Sequence, residues 1–201
     1  MIKATHHIIL YPFFKLYTRW QLSRNFKVVR IGNSDSYDSS VLLISNHISW
    51  WDGFWAADFN MEVTKKRFFF MMEEKQLLEH KFFSRIGGFS IKKRDKESIE
   101  SLNYTLQLLS DKNNLVLIFP QGKIESVYNQ DIVFESGVDR IIKSSNKDTK
   151  VVFLVNLVDY HSNKKPTLYQ YYLTFNKDKA LYSSYNEFFK MCIESQVKLK
   201  N

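Results

Sequence analysis

The chain has 201 residues, 44% of them hydrophobic, which is long enough for one domain with a sizeable core and too apolar for a disordered chain. A net charge of +8 and a pI near 9.4 point to anionic partners: membrane phospholipids, phosphorylated substrates or nucleic acid. The single cysteine, Cys192, excludes an internal disulfide and a multi-cysteine metal site and fits a reducing compartment, and no apolar run reaches the roughly 18 residues that mark a membrane span.

The first residues lack the long apolar region and small-residue cleavage site of a signal peptide. Residues 8–22 read as an amphipathic helix. Tyr11, Phe14, Tyr17 or Thr18, and Leu22 recur at helical spacing, Lys15, Arg19 and Arg24 lie among them, and Pro12 suits the first turn. Aromatic and basic residues together suit a helix lying in a bilayer interface. They equally suit a helix packed on the domain's own core, and different faces can do both. The whole chain is rich in such residues, with 17 Phe, 11 Tyr and 4 Trp beside 29 Lys and Arg.

Residues 26–30 form a short predicted strand, and 41–45 a strand buried on both faces because its apolar run is unbroken. A helix starts at 52–59, a second apolar strand spans 68–72, and a helix covers 73–83. A short strand at 89–91 precedes a helix at 98–111, whose Ile99, Leu102, Leu106 and Leu109 share a face. Strands at 115–119, 151–158 and 168–175 follow, the last placed at a sheet edge, with helices at 136–144 and 184–198. Strands alternating with helices predict an α/β fold: a single-domain layered structure with a mixed, largely parallel sheet flanked by helices. No repeat, low-complexity tract or linker interrupts it. His6, His7, His80 and His161 read as surface residues, and with no clustered ligand spacing a metal site is not expected.

Chemistry concentrates just after the 41–45 strand, at Asn46-His47-Ile48-Ser49-Trp50-Trp51-Asp52. A turn there would expose His47 at the strand tip. Asp52, five residues on, could fold back and accept a hydrogen bond from one imidazole nitrogen, leaving the other to act as a general base. The plainer alternative is a strand-end histidine followed by a helix-capping aspartate. Trp50, Trp51, Phe54 and Trp55 crowd the same segment, where they can wall a groove, touch lipid or fill core. Two further blocks follow: Gly87-Gly88-Phe89-Ser90-Ile91-Lys92-Lys93-Arg94, and Phe119-Pro120-Gln121-Gly122 after a second apolar run.

These three blocks, in this order from about residue 41 to 137, resemble the glycerolipid acyltransferase family, which includes the 1-acylglycerol-3-phosphate acyltransferases. That family carries a His-four-residues-Asp (HX4D) block, a Gly-containing block ending in a basic residue, and a Phe-Pro-Glu-Gly block. The resemblance makes residues 25–201 an acyltransferase domain behind a membrane-interface segment, 1–24. It implies acyl transfer from an acyl thioester to a hydroxyl of a lysophospholipid such as 1-acylglycerol-3-phosphate, by direct attack of the acceptor. His47 would be the base, and Asp52 would orient and stabilise its imidazole. Ser49 is expected to be structural; it and Ser45 are weaker alternatives as nucleophiles, neither lying in a Gly-x-Ser-x-Gly elbow. Lys93, Arg94, Gln121, Gly122 and Lys123 would bind substrate, with Trp50 and Trp51 as acyl-groove candidates. No cofactor is implied beyond the co-substrate, acyl-CoA or acyl carrier protein. The implied partners are membrane lipids rather than nucleic acid, and the implied location is the cytoplasmic face of a membrane, peripherally bound.

The chain departs from the family pattern at the third block. Gln121 stands where a glutamate is usual, and Ile124 where an arginine is usual. That departure opens a second acceptor reading: a glycolipid, an ornithine-type lipid or a glycosylated isoprenoid. A non-enzymatic basic module binding anionic membrane or nucleic acid would explain the charge but not the three ordered blocks.

Overall fold

The structure, a computed structural model, describes residues 1–33, 35–91 and 97–199. Lys93 and Arg94 lie outside the described residues. The elements in chain order are α1 (Leu10–Asn25), β1 (Lys27–Gly32), β2 (Val41–Ser45), α2 (Asp52–Phe59), β3 (Arg67–Glu73), α3 (Glu74–Glu79), β4 (Gly88–Ile91), α4 (Glu97–Leu109), β5 (Asn114–Ile118), α5 (Val138–Ser144), β6 (Lys150–Asp159), β7 (Thr167–Phe175) and α6 (Leu181–Lys198).

One seven-stranded sheet orders them β1-β7-β6-β2-β5-β3-β4. β6, β2, β5, β3 and β4 run parallel, β7 runs antiparallel to β6, and β1 pairs parallel to β7. This is the mixed, largely parallel sheet expected. β7 is not the edge strand predicted, because β1 docks outside it from far earlier in the chain. All five residues of β2 are fully buried, as helices on both faces require of a central parallel strand.

The two-residue side-chain period of a strand divides the core in two. Leu42 and Ile44, with Val116, Ile118, Phe153 and Val155, pack against α4, α5 and α6. Val41 and Leu43, with Leu115, Leu117, Val152 and Leu154, pack against α1 and α2. Helix α1 turns Phe14, Thr18 and Leu22 inward at four-residue spacing.

Three local features differ from the sequence reading. The expected 73–83 helix is two pieces, α3 and a 3-10 turn at Lys81–Arg85, separated by the non-helical backbone of His80. Helix α2 continues into a π turn, Asn60–Thr64, that ends at Lys65 in the left-handed region. There Asn60 Oδ1 accepts from Thr64 Oγ1 at 2.6 Å and from the Lys66 N–H at 3.1 Å. The segment before α1 runs beside residues 84–90, with Ser90 N–H donating to Ile2 O at 3.0 Å and Gly87 N–H to Thr5 O at 3.0 Å. It covers the exposed edge next to β4, where unpaired backbone groups would invite association.

The glycine pair Gly87-Gly88 serves this packing rather than ligand approach. Gly87 has φ +106°, and a Cβ there would sit 2.2 Å from Phe68 O; one on Gly88 would sit 2.8 Å from Phe83 O. His6 is half-buried here, not a surface residue. Its ring lies 4.1 Å from Tyr11 and 4.6 Å from Phe69, and Nε2 donates to Phe68 O at 2.8 Å. Burial holds this imidazole's pKa below its ordinary value. His161 is also largely covered, with Nε2 3.5 Å from Asp159 Oδ2 and its side chain 18% exposed.

Candidate active site

His47 sits two residues beyond β2, at the end of the sheet where the five parallel strands finish. The chain turns at Ile48–Trp51 into α2, and Asp52 opens that helix. Asp52 Oδ2 lies 2.7 Å from His47 Nδ1. The same oxygen accepts the N–H groups of Ile48 at 2.6 Å and Ser49 at 2.8 Å. Burial pushes the Asp52 carboxyl above the usual carboxylate range, and its hydrogen bonds from His47, Ser49 and Ile48 oppose that rise. Three donors converging on one oxygen favour the carboxylate form, so Nδ1 donates in that bond and, in the neutral imidazole, Nε2 keeps the lone pair. Asp52 is fully buried, whereas the His47 side chain remains 22% exposed. A buried orienting carboxylate behind a reachable imidazole is the geometry of a general base.

The loop after β5 completes the setting. The Phe119 ring stacks on the imidazole, centroids 4.1 Å apart and planes 11° from parallel. Gln121 is buried, its Oε1 accepting the His47 N–H at 2.6 Å. Behind His47, Asn46 and Asn156 exchange two hydrogen bonds, Asn46 Nδ2 to Asn156 O at 2.9 Å and Asn156 N–H to Asn46 Oδ1 at 2.8 Å. Gln170 Nε2 donates to Asn156 Oδ1 at 3.1 Å. This fully buried polar group ties the end of β2 to β6 and β7. The sequence reading missed Asn156, Gln170 and Glu125. The available signal for the first two was a polar residue inside an apolar strand, which has to find partners when buried.

A largely apolar cavity of about 580 Å³ opens from His47, lined by Phe54, Phe68, Phe70, Leu117 and Phe119 and also by polar residues such as Gln76, Glu79 and Glu135. Of the groove candidates, Trp50 lines it, while Trp51 packs against Phe26 with centroids 5.2 Å apart. Gly122, Lys123 and Ile124 border the cavity. Lys123 Nζ lies 3.2 Å from Glu125 Oε1 with its side chain 71% exposed. Ser49 Oγ accepts the Trp51 N–H at 3.2 Å, and Ser45 is buried within the strand end. Burial pushes the Cys192 thiol up to about 12, so it offers no thiolate nucleophile. Among the described residues no group of three or more His, Cys, Asp or Glu side chains could hold a metal ion. Among them also, no helix is long and apolar enough to cross a membrane.

A layered sheet with a carboxylate-oriented histidine at the head of a largely apolar cavity is an arrangement that could serve acyl transfer. The family model described as Acyltransferase matches residues 25–155, and the chain belongs to the acyltransferase family. Comparison with curated protein sequences gives no match. Among solved structures, the fold is similar to the 1-acyl-sn-glycerophosphate (LPA) acyltransferase PlsC from Thermotoga maritima. The TM-score is 0.66 at 15% identity, over 95% of this chain and 81% of that one.

Proposed function

We propose that the protein is a membrane-associated O-acyltransferase. It would move a fatty acyl group from the thioester of coenzyme A or acyl carrier protein to a hydroxyl of a lysophospholipid such as 1-acylglycerol-3-phosphate. The observation that carries this reading is the His47–Asp52 pair at 2.7 Å, placed at the head of the apolar cavity. His47 Nε2 takes the acceptor's hydroxyl proton as its oxygen attacks the thioester carbonyl. The tetrahedral intermediate collapses, the C–S bond breaks, and the imidazolium returns the proton to the departing sulfur. The cavity wall takes the alkyl chain. The basic charge also fits a nucleic-acid module, but neither the oriented histidine nor the cavity has a role in one.

The acceptor is the part on which the residues divide. Ile124 borders the cavity where the family resemblance leads one to expect an arginine, and Lys123 is engaged by Glu125. On this reading the acceptor phosphate falls to Lys93 and Arg94; the alternative acceptor, an amphiphile without a phosphate monoester, follows if those two cations do not hold it. A charge-assisted contact contributes about 1.5–3 kcal/mol, roughly tenfold to hundredfold in rate. Initial rates on lysophosphatidic acid and on uncharged lysolipids should therefore converge in a Lys93→Ala/Arg94→Ala variant. A preference for lysophosphatidic acid that survives loss of both cations would place the phosphate elsewhere. Absence of transfer to every lysolipid would sink the reading.

We place the protein peripherally, at a cytoplasmic membrane face, held through residues 1–24. Helix α1 shows an outer row that is not core: Ile9, Phe13, Leu16 and Trp20 are exposed by half or more, spaced along one helical face. Lys15 lies over the Tyr11 ring at 4.7 Å and Arg24 over Trp20 at 5.5 Å. Apolar rings flanked by cations suit anionic lipid headgroups. Deleting 1–24 would uncover the sheet edge, so point changes test the idea better. Phe13→Ser/Trp20→Ser should weaken co-sedimentation with anionic vesicles by at least about tenfold without lowering Tm; unchanged binding would put the docking face elsewhere.

A further inference from the structure

The loop after β5 grips the His47 peptide at both ends. Gln121 Oε1 accepts its N–H at 2.6 Å, and the Glu125 N–H donates to its carbonyl oxygen at 2.9 Å. A carboxamide has two chemically different ends, one that accepts and one that donates. Only one of the two orientations of Gln121 can serve His47, and something must choose it. Gln121 Nε2 donates to Glu125 Oε2 at 2.9 Å. Asn129 Nδ2 donates to the same oxygen at 3.0 Å, and Lys123 Nζ lies 3.2 Å from the other. The hydrogen bond from Gln121 holds the Glu125 carboxyl below the usual carboxylate range, helped by Lys123 and Asn129 and opposed by burial. An ionised carboxylate only accepts. It admits the Gln121 NH2 group and repels its carbonyl, so Oε1 must face His47. The reverse orientation would set donor against donor at His47 and acceptor against acceptor at Glu125.

We infer that Glu125 is a positioning residue for acyl transfer: acting through Gln121, its carboxylate sets the His47 peptide and so the point at which Nε2 meets the acceptor hydroxyl. The inference rests on the reading of His47 as the base. Glu125 touches neither substrate nor imidazole in this role. Phe119, two residues before Gln121, stacks on the ring from the same loop, so one short segment sets both the backbone and the ring plane.

The test is a charge exchange in the full chain. Gln121→Glu would place a second carboxylate against Glu125, and Glu125→Ala would free the carboxamide to turn over. Each should lower kcat by about tenfold to hundredfold, the scale of a charge-assisted hydrogen bond, with KM for the acyl thioester nearly unchanged. In Gln121→Glu the two carboxylates share a proton, so its deficit should shrink at acidic pH. Gln121→Glu/Glu125→Gln restores one acceptor toward His47 and one donor toward residue 121, and should recover kcat to within about threefold of wild type, a coupling between neighbours that independent effects would not show. The His47 imidazole NMR resonance reads the same positioning without turnover: it should move in Gln121→Glu and return in the double variant. A double variant no better than Gln121→Glu in rate and resonance would overturn the inference, as would wild-type kcat in Glu125→Ala. An active His47→Ala protein would instead remove the base reading, and this inference with it. An inactive His47→Ala beside a fully active Glu125→Ala would overturn this inference alone.

Discussion

His47→Ala is expected to lower kcat for acyl transfer by about 10²–10⁴, the range for loss of a positioned general base, while Tm stays near that of wild type. The imidazole lies beyond the strand and remains 22% exposed, so its removal opens no deep core cavity. Asp52 Oδ2 keeps its two backbone donors, Ile48 and Ser49, so the turn survives. Initial rates with saturating thioester, beside a thermal melt, decide the matter. A folded His47→Ala protein turning over near the wild-type rate would end the mechanism proposed above.

Asp52→Asn should impair catalysis about as severely, roughly 10²–10⁴ in kcat, for a different reason. The amide oxygen can still accept the two backbone N–H groups, but it carries no charge to stabilise the imidazolium formed as His47 takes the proton. Its effect on stability should run the other way with pH. Burial raises the folded carboxyl's pKa above the ordinary carboxylate value. A carboxyl with a raised folded pKa adds stability below its unfolded value, and that contribution is lost as pH rises through the folded value. Asparagine does not titrate, so the variant's Tm relative to wild type should climb as pH rises from below about 4 towards neutrality. A Tm difference that does not change over that interval would show that the buried carboxylate costs the fold nothing; kcat near wild type would show that the imidazolium needs no partner.

Most of the sheet was legible because a parallel strand covered on both faces leaves an unbroken apolar run, and β2, β5 and β6 each have one. The His47–Asp52 pair was legible because its spacing lies within one turn of chain. What was missed depended on distant partners. β7 read as an edge because nothing local announces that β1 will dock outside it. His6 read as a surface residue because the rings and carbonyl that enclose it come from Tyr11, Phe69 and Phe68. Gly87 and Gly88 admit neighbouring backbone from Phe68 and Phe83, which nothing in their own block announces. Gln121 read as a substrate-binding residue standing where a glutamate is usual. The carboxylate that serves it stands at Glu125, in a loop with no periodicity to mark it.

The path of the chain before β1 has a mechanical consequence. Residues 2–7 are fastened beside β4, at one border of the sheet. Helix α1 then crosses the face, with its Tyr11 hydroxyl accepting the Phe68 N–H at 3.0 Å, and its far end feeds β1 at the opposite border. A strap anchored on both sides cannot swivel. With its outer row sunk among headgroups, it would hold the sheet at a single tilt, so the mouth beside His47 would meet the bilayer at a constant depth, and the depth at which a hydroxyl must present itself would select among amphiphiles before any headgroup is touched.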